Sequence, residues 1–174
     1  MEKLLLNKIE VAERQLETAV ELFFDEKDCI SIHNLASSSY QIIHDILRDK
    51  EVESLKEYNF KNNDMGFKEF KDFNKEVSQV WNFLKHANEN PSDTLEFEPH
   101  VNDFLMRTAI HDLYILNNKI SDVMSLFVAY FKFVYGDDNG GMVDITDIKL
   151  IDFNKRQLAI KKGKENIYDR KKIA

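Results

Sequence analysis

Apolar residues recur at three- and four-residue intervals through most of this 174-residue chain. That is the period of helices which bury one stripe and solvate the opposite face. Over residues 2–25 the stripe consists of Leu5, Ile9, Ala12, Leu16, Ala19, Val20 and Phe23, and over 30–49 of Ile32, Leu35, Ala36, Ile43, Ile46 and Leu47. A shorter helix is expected at 51–59. After a loop at 61–66, Phe70, Phe73, Val77, Val80, Trp81 and Leu84 predict a helix over 67–88. Residues 88–99 form the longest break, and Val101, Phe104, Leu105, Ala109, Leu113 and Leu116 mark a helix over 99–118.

The stretch 120–135 is apolar almost all round and ends at the glycine-rich segment 136–141. Ile120, Val123, Met124, Phe127, Phe131 and Val134 form one stripe on it, and Leu126, Tyr130 and Phe133 a second. One bundle face needs only one stripe, so the second predicts either a homodimer through helix 120–135 or a central helix covered on every side by its own chain. Beyond Met142 the positions of Ile145, Ile148, Leu150, Ile151 and Phe153 fit neither a helix nor a strand.

With glycine and proline at only seven positions, all-α architecture is the economical reading: a compact antiparallel bundle of about five to six helices. Its C-terminal segment is left without an assigned structure. Residues 1–154 make the bundle domain, and 155–174 either a basic tail or an extension of the same domain.

Charge divides along that boundary. The net charge is −7, but residues 155–174 carry +6, which leaves −13 on the body. The acidic mean argues against broad nucleic-acid binding, while the basic segment is open to a local contact or to plain solvation. A single cysteine, Cys29, excludes an internal disulfide and suits a reducing compartment. The run after Met1 is too short for a secretory signal, and no apolar stretch is long enough to span a membrane. The expected location is cytoplasmic, with no membrane partner.

Candidate chemistry concentrates on helix edges. His33, Ser37, Tyr40 and His44 follow at i, i+4, i+7 and i+11, within about 60° of one another around a helix. Two imidazoles, a hydroxyl and a phenol suit a phosphate, a metal or a substrate, but an interhelical hydrogen-bonding rim is the plainer reading. His33 and His44 stand about 16 Å apart along the axis and cannot share one metal ion.

Arg107, His111, Tyr114 and Asn118 repeat the spacing. Arg107 and His111 lie one turn apart, so a guanidinium can hold a phosphate while an imidazole moves a proton, with Tyr114 or Lys85 assisting. An Arg–carboxylate pair beside a surface histidine is the plainer alternative. Asp112 falls near the middle of an apolar face and needs a partner, for which a histidine or arginine of a neighbouring helix is expected, either for structure or to poise an imidazole. Polar groups also gather from Trp81 to Asn90, where His86 points away from the apolar stripe. No phosphate loop, nucleophile elbow, zincin, EF-hand or di-iron pattern occurs. No cofactor or metal is implied.

The blocks Asn82-Phe-Leu-Lys-His-Ala87, Asn90-Pro91 and Thr94-Leu-Glu-Phe97, with Leu35-Ala-Ser-Ser-Ser-Tyr40 and Ile46-Leu-Arg-Asp49, resemble two segments shared by a group of uncharacterised bacterial proteins of similar length. That resemblance implies helices and no established chemistry. More distantly the chain is similar to the HEPN superfamily, whose members are often dimeric and include metal-independent ribonucleases of toxin and antiviral systems. Their signature separates Arg from His by four to six residues, whereas Arg107 and His111 are separated by three.

Two functions are expected in consequence. The first is a non-catalytic or regulatory helical module that self-associates and binds an unknown protein partner or small ligand. The second is a HEPN-like ribonuclease acting on RNA through Arg107 and His111.

Overall fold

In the computed structural model, which describes residues 3–62, 67–86, 91–135 and 153–173, the described residues form seven α-helices and no strand. These are α1 (Lys8–Phe24), α2 (Cys29–Asp49), α3 (Leu55–Asn62), α4 (Phe67–Lys85), α5 (Val101–Asn117), α6 (Asp122–Tyr135) and α7 (Phe153–Ile173). None is long and apolar enough to cross a membrane.

α1 starts later than its apolar period suggests. Asn7 and Glu10 form a reciprocal capping box, the Asn7 side chain accepting from the Glu10 amide at 2.9 Å. The cap sets the boundary. Leu5, expected on the buried stripe, precedes it and is fully exposed. α1 and α2 form an antiparallel hairpin whose register is fixed by the buried Ser39 hydroxyl, which donates to the Ala12 carbonyl at 2.8 Å. Glu51, at φ 56°, and a Ser54–Glu57 capping box delay α3 to residue 55, four positions beyond the expected start. Asn118 closes α5 in the left-handed conformation that asparagine tolerates.

α1 is the central element and packs on α2, α5, α6 and α7. Aromatics dominate its end: Phe23 meets Phe127 and Tyr130 edge-on at 5.2 and 5.0 Å between ring centroids. Phe104, Phe131 and Tyr135 form a second cluster beside it. Edge-to-face pairs of this kind add to the area they bury.

The basic C-terminal segment is a helix that docks on α1 and α6, which raises the helix count above expectation. The ambiguous residues 142–152 lie outside the described ones, while Phe153 opens α7. Two features seat it. Gly163 lies against the Phe24 ring, where a Cβ would overlap ring carbons. Beside it, Asp103 is fully buried and accepts from the hydroxyls of Tyr130 and Tyr135, both at 2.7 Å, and from Arg156 Nη2 at 3.4 Å. Burial works against the Arg156 charge, but Asp103 and the two phenols outweigh it and hold the pKa above the ordinary value. Both phenols are pushed well above their usual range, by burial first and then by Asp103.

Tyr130, from the second stripe of α6, is thereby buried against Asp103 of α5. Phe133 of that stripe is 47% exposed, with Lys155 Nζ 4.9 Å from its ring centroid.

Candidate functional site

A cavity of about 400 Å³ opens between α2 and α4. α2 contributes one stripe of its surface, Ser37, Tyr40, Gln41, His44 and Arg48, at the three- and four-residue steps that share a helix face. α4 supplies Val77, Ser78, Trp81 and Asn82 opposite. Lys56 enters from the first turn of α3, and Leu105 and Thr108 of α5 complete the lining. Among the described residues no carboxylate lines it.

Three of the four candidate residues on α2 therefore meet in one place, and His33 does not. It is fully buried at the other end of the helix, with Nδ1 2.8 Å from Asn102 Oδ1. The Asn102 amide donates to the Cys29 carbonyl at 2.9 Å, so its oxygen is the end that faces the ring. His33 Nδ1 must carry the proton and donate it. Burial lowers the His33 pKa despite that hydrogen bond, which keeps the ring neutral near pH 7. In place of His33, Arg48 extends the stripe, one turn beyond His44.

Four polar atoms on the cavity wall are buried without a hydrogen-bond partner among the described residues: Ser37 Oγ, Tyr40 Oη, His44 Nδ1 and Trp81 Nε1. Their neighbours are engaged. Thr108 donates to the Phe104 carbonyl at 2.9 Å, while Arg48 and Gln41 both reach Asp45 Oδ1 on the outer side, at 2.9 and 3.1 Å. Unsatisfied buried polar atoms cost roughly 1–3 kcal/mol each, so four around one space are a signal that a ligand or solvent completes them.

The wall carries a ring stack and its electrostatics are mixed. The Tyr40 and His44 rings stack with centroids 5.7 Å apart and planes within 4°. Burial raises the Tyr40 pKa, with Asp112 and Glu57 adding to it, so the phenol keeps its proton. Lys56 Nζ lies 5.9 Å from the Tyr40 ring centroid, and burial lowers its pKa against the pull of Glu57 and Asp112.

Asp112 explains why α3 lies where it does. The carboxylate is fully buried, and Oδ1 accepts from the Leu55 amide at 2.7 Å, one residue before Lys56. Its partner is thus the backbone at a helix start, where an anion is favoured, rather than the expected side chain of another helix. His111 Nδ1 also approaches Oδ1, at 3.5 Å.

The second candidate set is not assembled around this cavity. Arg107 and His111 are partly buried on α5, Tyr114 is 48% exposed near its end, and none of the three lines the space. Lys85 sits on α4, its Nζ 3.9 Å from the Trp81 ring centroid. Exposed His86 stands edge-on to the same indole at 6.5 Å.

Sequence reasoning missed Arg48, Gln41 and Lys56. Extending the α2 stripe by one turn finds the first, but the last has no local signal, because a contact 57 residues away in sequence positions it.

Among the described residues no group of three His, Cys, Asp or Glu side chains converges as a metal site. Comparison of the chain with protein-family models, with curated proteins and with solved structures returns no match.

Proposed function

We propose that this chain is a non-catalytic or regulatory helical module that binds a small ligand in the cavity between α2 and α4 and self-associates through α6. The observation carrying the reading is the set of four unpartnered polar atoms on the wall of one cavity of about 400 Å³. A cleft with an apolar floor and a few converging polar groups is the usual form of a small-molecule site. Trp81 is the chain's only tryptophan and lies on the wall, so its indole N–H resonance reports occupancy directly.

Screening a chemically mixed fragment library by that resonance is expected to yield binders that lose affinity in Ser37→Ala and Tyr40→Phe. A screen in which no fragment moves Trp81 would overturn ligand binding. RNA cleavage in excess chelator, abolished by His111→Ala, would overturn the non-catalytic reading in favour of a metal-independent ribonuclease using Arg107 and His111.

Self-association is supported by Phe133, a large aromatic left half-exposed on a helix whose remaining faces are largely covered by α1, α5 and α7. Exposed aromatic surface beside partly buried Leu126 and Val134 is what a two-fold contact would cover. Phe133→Asp is expected to give a folded monomer from a wild-type dimer, as measured by light scattering and circular dichroism. A wild-type mass equal to one chain from micromolar to millimolar concentration would remove the dimer.

A further inference from the structure

We infer that His33 is the catch of a proton-sensitive latch: the neutral ring holds the connection 91–100 against the starts of α2 and α5, and protonation of the ring releases it. The latch joins three parts of the chain. His33 lies fully buried on the second turn of α2, and its Nδ1–H donates to Asn102 Oδ1, on the first turn of α5, at 2.8 Å. The Asn102 amide donates in turn to the carbonyl of Cys29, the first residue of α2. Phe97, partly buried, packs edge-on to the imidazole with ring centroids 5.3 Å apart. The connection that carries Phe97 leads from α4 to α5 and forms neither helix nor strand over 91–100, so it has no ladder of its own to hold it in place.

The site suits one protonation state. Nε2 is buried with no hydrogen-bond partner among the described residues, which leaves the neutral ring with an unused acceptor. An imidazolium carries a proton on both nitrogens, and a buried Nε2–H needs an acceptor. The Ser37 hydroxyl, one turn on, makes no bond to it, and the Phe97 ring offers no lone pair. Charged groups on the surrounding elements are engaged or turned outward. At the start of α2, Asp28 caps Ser31, and on α5 Asp103 is held by Tyr130, Tyr135 and Arg156. On the connection, Asp93, Glu96 and Glu98 are exposed, and His100 at its end has no negative charge to give. Burial accordingly lowers the His33 pKa, although the Asn102 bond favours the proton. The released ring regains its ordinary value of about 6.5 and therefore takes up the proton more readily than the held one. The latch is fully held above that pH and weakens as the pH falls below it.

The test follows amide hydrogen exchange of the full chain, corrected for the intrinsic effect of pH, while the His33 imidazole resonances, assigned by their proximity to Phe97, are titrated in parallel. Between about pH 7.5 and about pH 5.5 the amides of 95–102 are expected to lose about tenfold in protection, because a released ring of ordinary pKa is about nine-tenths protonated at the lower value. Amides in the middle of α1 and α2 are expected to keep theirs. His33→Asn, whose amide nitrogen can stand in for Nδ1 but does not titrate, is expected to abolish the change. Phe97→Ala, at a partly buried position, is expected to uncover the ring and bring the His33 midpoint up toward its ordinary value. A wild-type His33 midpoint at or above the ordinary value would overturn the latch, and so would unchanged exchange at 95–102. Protection lost equally throughout α1 and α2 would mean global acid unfolding and overturn it too, as would a pH response that persists in a folded His33→Asn. A midpoint unmoved by Phe97→Ala would remove Phe97, and with it the connection, from the mechanism.

Discussion

Asp103→Ala is expected to cost about 3–5 kcal/mol of folding stability, the range for removing one partner of a buried ion pair. Asp103 is inaccessible to solvent, and the Arg156 side chain facing it is only 14% exposed. Truncation leaves that guanidinium without its counter-charge and two phenols, Tyr130 and Tyr135, without their shared acceptor. The loss falls on the seam where α7 meets α5 and α6. Urea denaturation followed by far-UV circular dichroism measures it. The contrast with Asp103→Asn locates the cause, since the amide keeps one acceptor oxygen but no charge and is expected to lose less than the alanine variant. A cost under about 1 kcal/mol for alanine would show that Arg156 finds water or another acceptor and that the cluster is not a stabilising pair.

The second large effect is expected at Asp112. Asp112→Ala removes the acceptor of the Leu55 amide at the start of α3, a buried charge-assisted bond whose loss is worth about 2–3 kcal/mol. The consequence extends to the cavity, because Lys56 is the next residue. The alanine variant should therefore bind the fragments that move Trp81 less tightly at the same time as it loses stability. Asp112→Asn retains an oxygen for the amide and is expected to recover most of both. Equal urea midpoints for the alanine and asparagine variants would show that the acceptor is not what positions α3.

The helices were legible because their apolar stripes are regular, and the α1 boundary was legible in principle, since Asn7 and Glu10 spell a capping box three residues apart. The α2 part of the candidate site was legible for the same reason. Ser37, Tyr40 and His44 share a helix face by spacing alone, whatever the rest of the chain does.

The remainder depends on pairings that no local window contains. His33 continues the α2 pattern but is drawn inward by Asn102, 69 residues away, and so leaves the site. Lys56 joins it only because a carboxylate on α5 receives the first amide of α3. α7 carries a weak apolar period, with Ala159, Ile160 and Ile167 the buried apolar side chains among its described residues. What seats it is a glycine under a phenylalanine ring and an arginine at a buried aspartate, neither of which is a periodic signal.

That glycine also bears on the order of folding events. In the middle of a helix it forgoes about 1 kcal/mol relative to alanine, so α7 is a poor helix in isolation and gains its persistence on reaching Phe24. Phe24 lies 139 residues earlier in the chain, and closing so long a loop is entropically costly and slow compared with pairing α1 to α2 across their short connection. The hairpin can therefore form early from neighbouring residues, whereas the seventh helix condenses against a surface already made. The same small residue that lets the helix lie flat on the aromatic core makes it dependent on that core for its own shape.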